Sequence, residues 1–210
     1  MNTQPASTRL GTRLLASIAV VAALFTVVIA ATIPASDGPN GLDRAAGSWV
    51  SSLLDDHHSV ATIFAACSDP VVLLIVLPLA LAYCSYRKRW RAALLVIAGP
   101  AVATAANAWL LKPLFDRQTD DYLAYPSGHT VALVATVTVL VLVARTGRQR
   151  AVILGGGAVA LICAALGMIA LGYHQLTDIL GGIGAAASIV IIVATALDGP
   201  WLDTRCSDGA

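Results

Sequence analysis

The chain has no glutamate: all twelve of its acidic residues are aspartates. It has only two lysines, Lys88 and Lys112, against eleven arginines. With abundant Ala and Val, that skew points to the codon usage of a GC-rich bacterial genome. Charge of either sign is scarce. Charged residues make up 12% of the chain and hydrophobic ones 58%, whereas a soluble domain carries about a quarter charged residues. This excludes an ordinary soluble domain. A net charge of +1 gives no bulk attraction to nucleic acid, so no nucleic-acid partner is expected. The four cysteines, Cys67, Cys84, Cys163 and Cys206, show no CxxC or metal-like spacing and read as small buried hydrophobes.

What is abundant is long apolar sequence. A membrane helix needs roughly 20 apolar residues. Six stretches qualify or nearly do: Leu14–Ile33, Pro70–Tyr86, Ala92–Leu111, Ser127–Ala144, Ala151–Tyr173 and Ile179–Leu197. The first lacks a clear cleavage site and reads as a retained span. The reading is a single all-α domain over residues 1–210, a six-transmembrane-helix bundle. Pro78 and Pro100 are expected to kink their spans rather than break them. Gly155-Gly156-Gly157 and Gly181-Gly182 should allow close helix approach, or a homodimer face. Between spans one and two, Ala45–Leu54 and Val60–Ala66 read as short interfacial helices.

Loop basicity sets the orientation. Arg9, Arg13, Arg87, Lys88, Arg89, Arg91, Arg145, Arg148, Arg150 and Arg205 fall on one side, ten of the thirteen basic residues. By the positive-inside rule that side is cytoplasmic, with both termini. Arg44, Lys112 and Arg117 are left outside.

The chemistry-bearing residues share that outer side. Ser127-Gly128-His129 opens span four. Ser is a good N-cap, and the first turn of a helix offers free N–H groups and positive dipole to a phosphate oxygen. Alone, it also reads as a simple Pro-Ser cap with an incidental histidine. His174 and Asp178 are four apart, one helix face, where a carboxylate fixes the imidazole tautomer and frees the other nitrogen. Alone, that spacing also fits a capping Asp beside an interfacial His. Lys112 and Arg117 read either as snorkelling cations or as anion ligands, with Asp116, Asp120 and Asp121 near enough to pair with them.

Together these residues resemble the type 2 phosphatidic acid phosphatase superfamily, whose pattern is K-x6-R-P, P-S-G-H and S-R-x5-H-x3-D. Pro126 to His129 complete the second block, His174 and Asp178 supply half of the third, and Lys112 begins the first. Order, spacing and the six-helix layout match over most of the chain. Two family arginines are absent: their positions hold Thr119 and Met168, with Asp120 and Gly167 at the neighbouring Pro and Ser. Arg117 matches an extra Arg of many members and is a candidate stand-in; Arg44, His57 and His58 are candidates from the outer segment.

The resemblance implies a plasma-membrane hydrolase with an extracytoplasmic site, needing no metal or other cofactor. His174 is the implied nucleophile, forming a phosphohistidine; Asp178 orients it, and His129 is the general acid. Lys112, Arg117, Ser127 and Gly128 hold the phosphate. The implied substrate is a lipid phosphate or diphosphate, polyprenyl or phosphatidyl, used in cell-envelope lipid recycling. Two other readings stay open: a lipid-linked phosphotransferase, and a non-catalytic membrane protein of the same fold. A transporter is disfavoured, because no charge lies in mid-span.

Overall fold

The structure is a computed structural model. It describes residues 6–119 and 122–197, with side chains apart from those of 6–10, 70 and 119. Asp120, Asp121, Arg205 and Cys206, and the side chains of Arg9 and Thr119, lie outside the described residues.

Helix α1 (Ala6–Ala30) leads through turns to α2 (Gly41–Leu54) and α3 (His58–Ala65). A 3-10 turn (Ala66–Ser68) joins α3 to α4 (Pro70–Tyr86). Helix α5 (Trp90–Ala106) runs into a π-helical turn (Asn107–Leu111) and then α6 (Lys112–Phe115). Strands β1 (Gln118–Thr119) and β2 (Tyr122–Leu123) pair antiparallel, Gln118 opposite Leu123. Helices α7 (Gly128–Val143), α8 (Gly147–Ala170) and α9 (Leu176–Ala196) complete the bundle.

Among the described residues, five helical stretches are long and apolar enough to cross a membrane: Gly11–Ala30, His58–Tyr86, Trp90–Phe115, Gly147–Ala170 and Leu176–Ala196. Helix α7 is apolar but shorter. The Val60–Ala66 piece is helical, as expected. That piece forms α3 and continues through the 3-10 turn into α4, a single 29-residue apolar stretch. Asp69 and Pro70 restart the helix rather than end it: the Asp69 side chain accepts from Val71 N at 2.7 Å, and Pro70 stands at the first helical position. Pro78 and Pro100 are carried inside α4 and α5 without ending either helix.

The bundle is built around α9, the most deeply buried span. Leu95, Val96, Val131, Val139 and Val190 form the dry centre among α5, α7 and α9. The outer surfaces of α1, α4 and α8 are apolar too; Leu14, Val21, Leu74 and Val152 are all exposed. Apolar side chains on both the inside and the perimeter suit a lipid surround, where packing rather than water exclusion joins helices. A Cβ at Gly181 would overlap the Tyr125 ring, and one at Gly184 would crowd Ala22 O of α1. On α8, Gly157 approaches Val137 closely and Gly167 approaches α3, whereas Gly155 and Gly156 face open space.

The two ends of the bundle differ. At one, Arg89 Nη1 donates to Val143 O (2.9 Å) and Arg150 Nη2 to Ala144 O (3.3 Å), cations on the C-terminus of α7. At the other end, the N-termini of α7 and α9 meet α2, Arg117 and the turn before α7.

Candidate active site

Local rules deliver His174 to this second end. Helix α8 closes with Gly172 at φ +71°, Gly172 N donating to Ile169 O (3.1 Å) and Tyr173 N to Met168 O (2.9 Å). This is the Schellman arrangement, in which glycine takes the left-handed position. The chain reverses, and α9 starts two residues after His174. His174 and Asp178 therefore do not share a helix face, as the spacing had suggested. Instead, His174 precedes the N-cap Gln175, and Asp178 sits in the first turn, its Oδ2 accepting from Gln175 N at 2.9 Å. The result is the expected proximity by another route: His174 Nδ1 lies 3.6 Å from Asp178 Oδ2.

The P-S-G-H turn is fixed from three sides. Ser127 caps α7 through Thr130 N (3.4 Å), and Ser127 N donates to Asp178 O (3.0 Å), joining the two helix starts. Asn107, from the π-helical turn, donates its side-chain amide to Pro126 O at 3.3 Å. Tyr125 is buried, with its ring on Gly181 and edge-on to Phe115 at 5.1 Å. Burial, and secondarily the Asp178 carboxylate, pushes its phenol above the ordinary range. It stays protonated and donates to Thr26 O.

His129 and His174 then face one another, ring centroids 6.0 Å apart. Tyr122 packs edge-on to His174 at 6.2 Å and donates to Tyr173 O. The Lys112 ammonium donates to Leu123 O and lies 6.0 Å from the Tyr122 ring centroid. His129 is exposed, whereas His174 is buried. A phosphate between the rings would meet the free N–H groups of the first turn of α7, next to Ser127 and Gly128.

Arg117 departs from expectation. It is 1% exposed, and its Nη1 donates to Asp178 Oδ1 (2.7 Å) and Thr177 Oγ1 (2.8 Å). Its remaining nitrogens reach Asp37 O and Gly38 O, each at 3.4 Å. The guanidinium is engaged by Asp178, Thr177 and the 37–38 backbone rather than by the facing histidines. The third block's departures also have a physical reason. A Cβ at Gly167 would collide with the backbone of α3 at Ala61 and Ala65, so a serine does not fit there. Met168 is buried, with its sulfur 4.0 Å from Ser127 Oγ. Arg44 instead donates to Pro39 O at 2.6 Å and is exposed, as are His57 and His58.

Three polar residues here escaped the sequence reading. Asp43, neighbour of Arg44, is 1% exposed and accepts from Thr177 N (2.9 Å) and Thr177 Oγ1 (3.0 Å). Thr177 and Asn107 are buried as well. Asn40 and Asp43 form a capping box, a spacing visible in the sequence as N-x-x-D. Asn107 is a lone amide inside an apolar run. Neither pattern names its distant partner. Among the described residues, no His, Cys and Asp group has the make-up of a metal site.

Comparison with known proteins defines the class first. The chain has the fold of a multi-pass membrane phosphatase. The crystal structure of a transmembrane PAP2-type phosphatidylglycerolphosphate phosphatase from Bacillus subtilis superposes with a TM-score of 0.65 and 20% identity, over 85% of this chain and 94% of that one. The family follows from sequence: the PAP2 superfamily model matches residues 10–200, and the chain belongs to that superfamily. No curated protein matches it.

Proposed function

We propose that the protein is an integral-membrane lipid phosphatase that hydrolyses a lipid phosphate or diphosphate, of polyprenyl or phosphatidyl type, through a phosphohistidine. The observation that carries this reading is the facing pair of His129 and His174 at 6.0 Å, with Asp178 behind only one of them. The asymmetry supports distinct roles. His174 Nδ1 points to Asp178, which leaves Nε2 to attack phosphorus. The bond from phosphorus to the leaving oxygen breaks, and His129 protonates that oxygen. His129 then takes a proton from water, whose oxygen attacks phosphorus and releases His174. Lys112, Ser127 and the Gly128 N–H hold the phosphoryl oxygens as charge develops. Arg117 acts through Asp178.

The substrate enters from the bilayer, because the site lies at the ends of apolar spans. Six spans, with α7 as the short one and α2 lying at the interface, put both termini inside. Arg89 and Arg150 sit at the opposite end from the site, which supports an extracytoplasmic site in the plasma membrane by the positive-inside rule.

The test is phosphate release by purified protein in detergent, with EDTA present. Polyprenyl diphosphate, polyprenyl monophosphate, phosphatidic acid and phosphatidylglycerol phosphate form the panel, and His174→Ala is the control. Release that the control lacks and EDTA does not stop is expected. Activity retained in His174→Ala would sink the mechanism. Dependence on an added alcohol acceptor would favour phosphotransfer over hydrolysis.

A further inference from the structure

The geometry points to Asp43 as a positioning residue for the nucleophile, acting from the outer helix α2 through Thr177 and Arg117. This rests on the reading of His174 as the nucleophile. Asp43 is the N3 residue of α2 and would need only Asn40 to serve as its cap, since Asn40 N donates to Asp43 Oδ2 at 3.2 Å. Yet the same carboxylate reaches 134 residues along the chain. Its Oδ1 takes the N–H of Thr177, one of the donors that the first turn of α9 cannot satisfy within the helix. Its Oδ2 takes the Thr177 hydroxyl and lies 3.6 Å from Arg117 Nη2. One carboxylate thus closes the starts of two helices, and a negative group is favoured at both.

The consequence runs to His174. Its Nδ1 is buried and has no hydrogen-bond partner, standing 3.6 Å from Asp178 Oδ2. A shift of a few tenths of an ångström would make that bond. Asp178 Oδ2 accepts from Gln175 N and Oδ1 is held by Arg117, so Arg117 and the start of α9 set the gap together. Arg117 is held in turn by the Thr177 hydroxyl, which accepts from Arg117 and donates to Asp43.

Charge points the same way. Arg117 lies between two carboxylates. If Asp43 were neutral, the guanidinium would rest on Asp178 alone and weaken it as an acceptor for the imidazole N–H. Among the described residues, the other polar groups beside His174 are His129 and Tyr122, with Lys112 over the Tyr122 ring.

The test uses Asp43→Asn, which keeps an oxygen for the Thr177 N–H and removes the charge. Thr177→Val is the second variant; it removes the bridging hydroxyl with little change of shape, in case the first fails to fold. Two readouts are taken on the full-length protein in detergent. One is the kcat and KM of phosphate release. The other, which needs no substrate, is the 15N shifts of the histidine side chains. Only four histidines exist, and the His174 signals are those lost in His174→Gln.

Both variants are expected to lower kcat roughly 10–100-fold, by analogy with the loss of outer partners of metal-bound histidines, with KM within about twofold. Both should also reduce the Nδ1–H tautomer of His174. Unchanged kcat and unchanged 15N shifts in both variants would overturn the proposal, as would a rise in KM alone. If the wild type releases phosphate from no lipid, the proposed function falls. The tautomer readout then still decides whether Asp43 positions His174.

Discussion

The two histidines of the site live in opposite surroundings. His174 is backed by Asp178, Arg117, Thr177 and Asp43, all 1% exposed or less. His129 is exposed at the first turn of α7, and among the described residues no carboxylate hydrogen-bonds its ring. A group that forms a bond to phosphorus gains from rigid aim, since misplacement by an ångström costs about 10²-fold. A group that delivers a proton to a departing oxygen, and later meets water, needs access. The contrast between a sealed side and an open side supports the proposed division of labour between nucleophile and acid.

Substitution can break that contrast, and the largest effect is expected on the sealed side. His174→Ala should abolish turnover, measured as phosphate release. Arg117→Met comes next. It leaves Asp178 and Asp43 buried together without their cation, and removing one partner of a buried ion pair costs about 3–5 kcal/mol. Loss of thermal stability together with activity is expected, and a variant as stable as the wild type would show that the guanidinium is dispensable. On the open side, His129→Ala should lower the rate by roughly 10²–10⁴, a typical general-acid contribution, and leave the thermal unfolding midpoint nearly unchanged. A substrate with a good leaving group should recover part of that loss, because it needs no proton. Absence of recovery would remove the acid role.

Much of this was legible in the chain, for definable reasons. The spans are runs of apolar residues long enough to cross a bilayer, and the helix-start residues lie at their edges. Ser127-Gly128-His129 is local, and His174 and Asp178 are near enough in the chain for one turn to bring them together. What was not legible depends on contacts across the fold. Arg117 reads as a phosphate ligand because its carboxylate partner stands 61 residues away in sequence. Asp43 reads as an ordinary surface acid because Thr177 lies 134 residues on. The His174–Asp178 proximity was expected for a reason that did not hold, since the glycine turn at 172 ends α8 before His174. The start of span two at Pro70 was legible, because a capping Asp followed by proline opens a helix.

The smallest expected effect sharpens the comparison at the substrate itself. Met168 occupies the position at which the superfamily resemblance calls for an arginine, buried against Ser127. An arginine there would gain no free carboxylate, because Asp178 already holds Arg117. Without ligand it would be a buried, unpaired cation, so Met168→Arg should lower the unfolding temperature of the empty protein. With inorganic phosphate present the same cation acquires a partner. Stabilisation by a ligand follows RT ln(1 + [L]/Kd), so phosphate should raise the unfolding temperature of the variant more than that of the wild type. KM for a diphosphate lipid should fall a few-fold, and that for a monophosphate less. Equal phosphate stabilisation of the two proteins would mean that position 168 does not face the anion. The thioether would then be packing for α7 rather than a vacated ligand. Arginine at 168 must be tested without the neighbouring serine, because α3 leaves no room for a Cβ at Gly167.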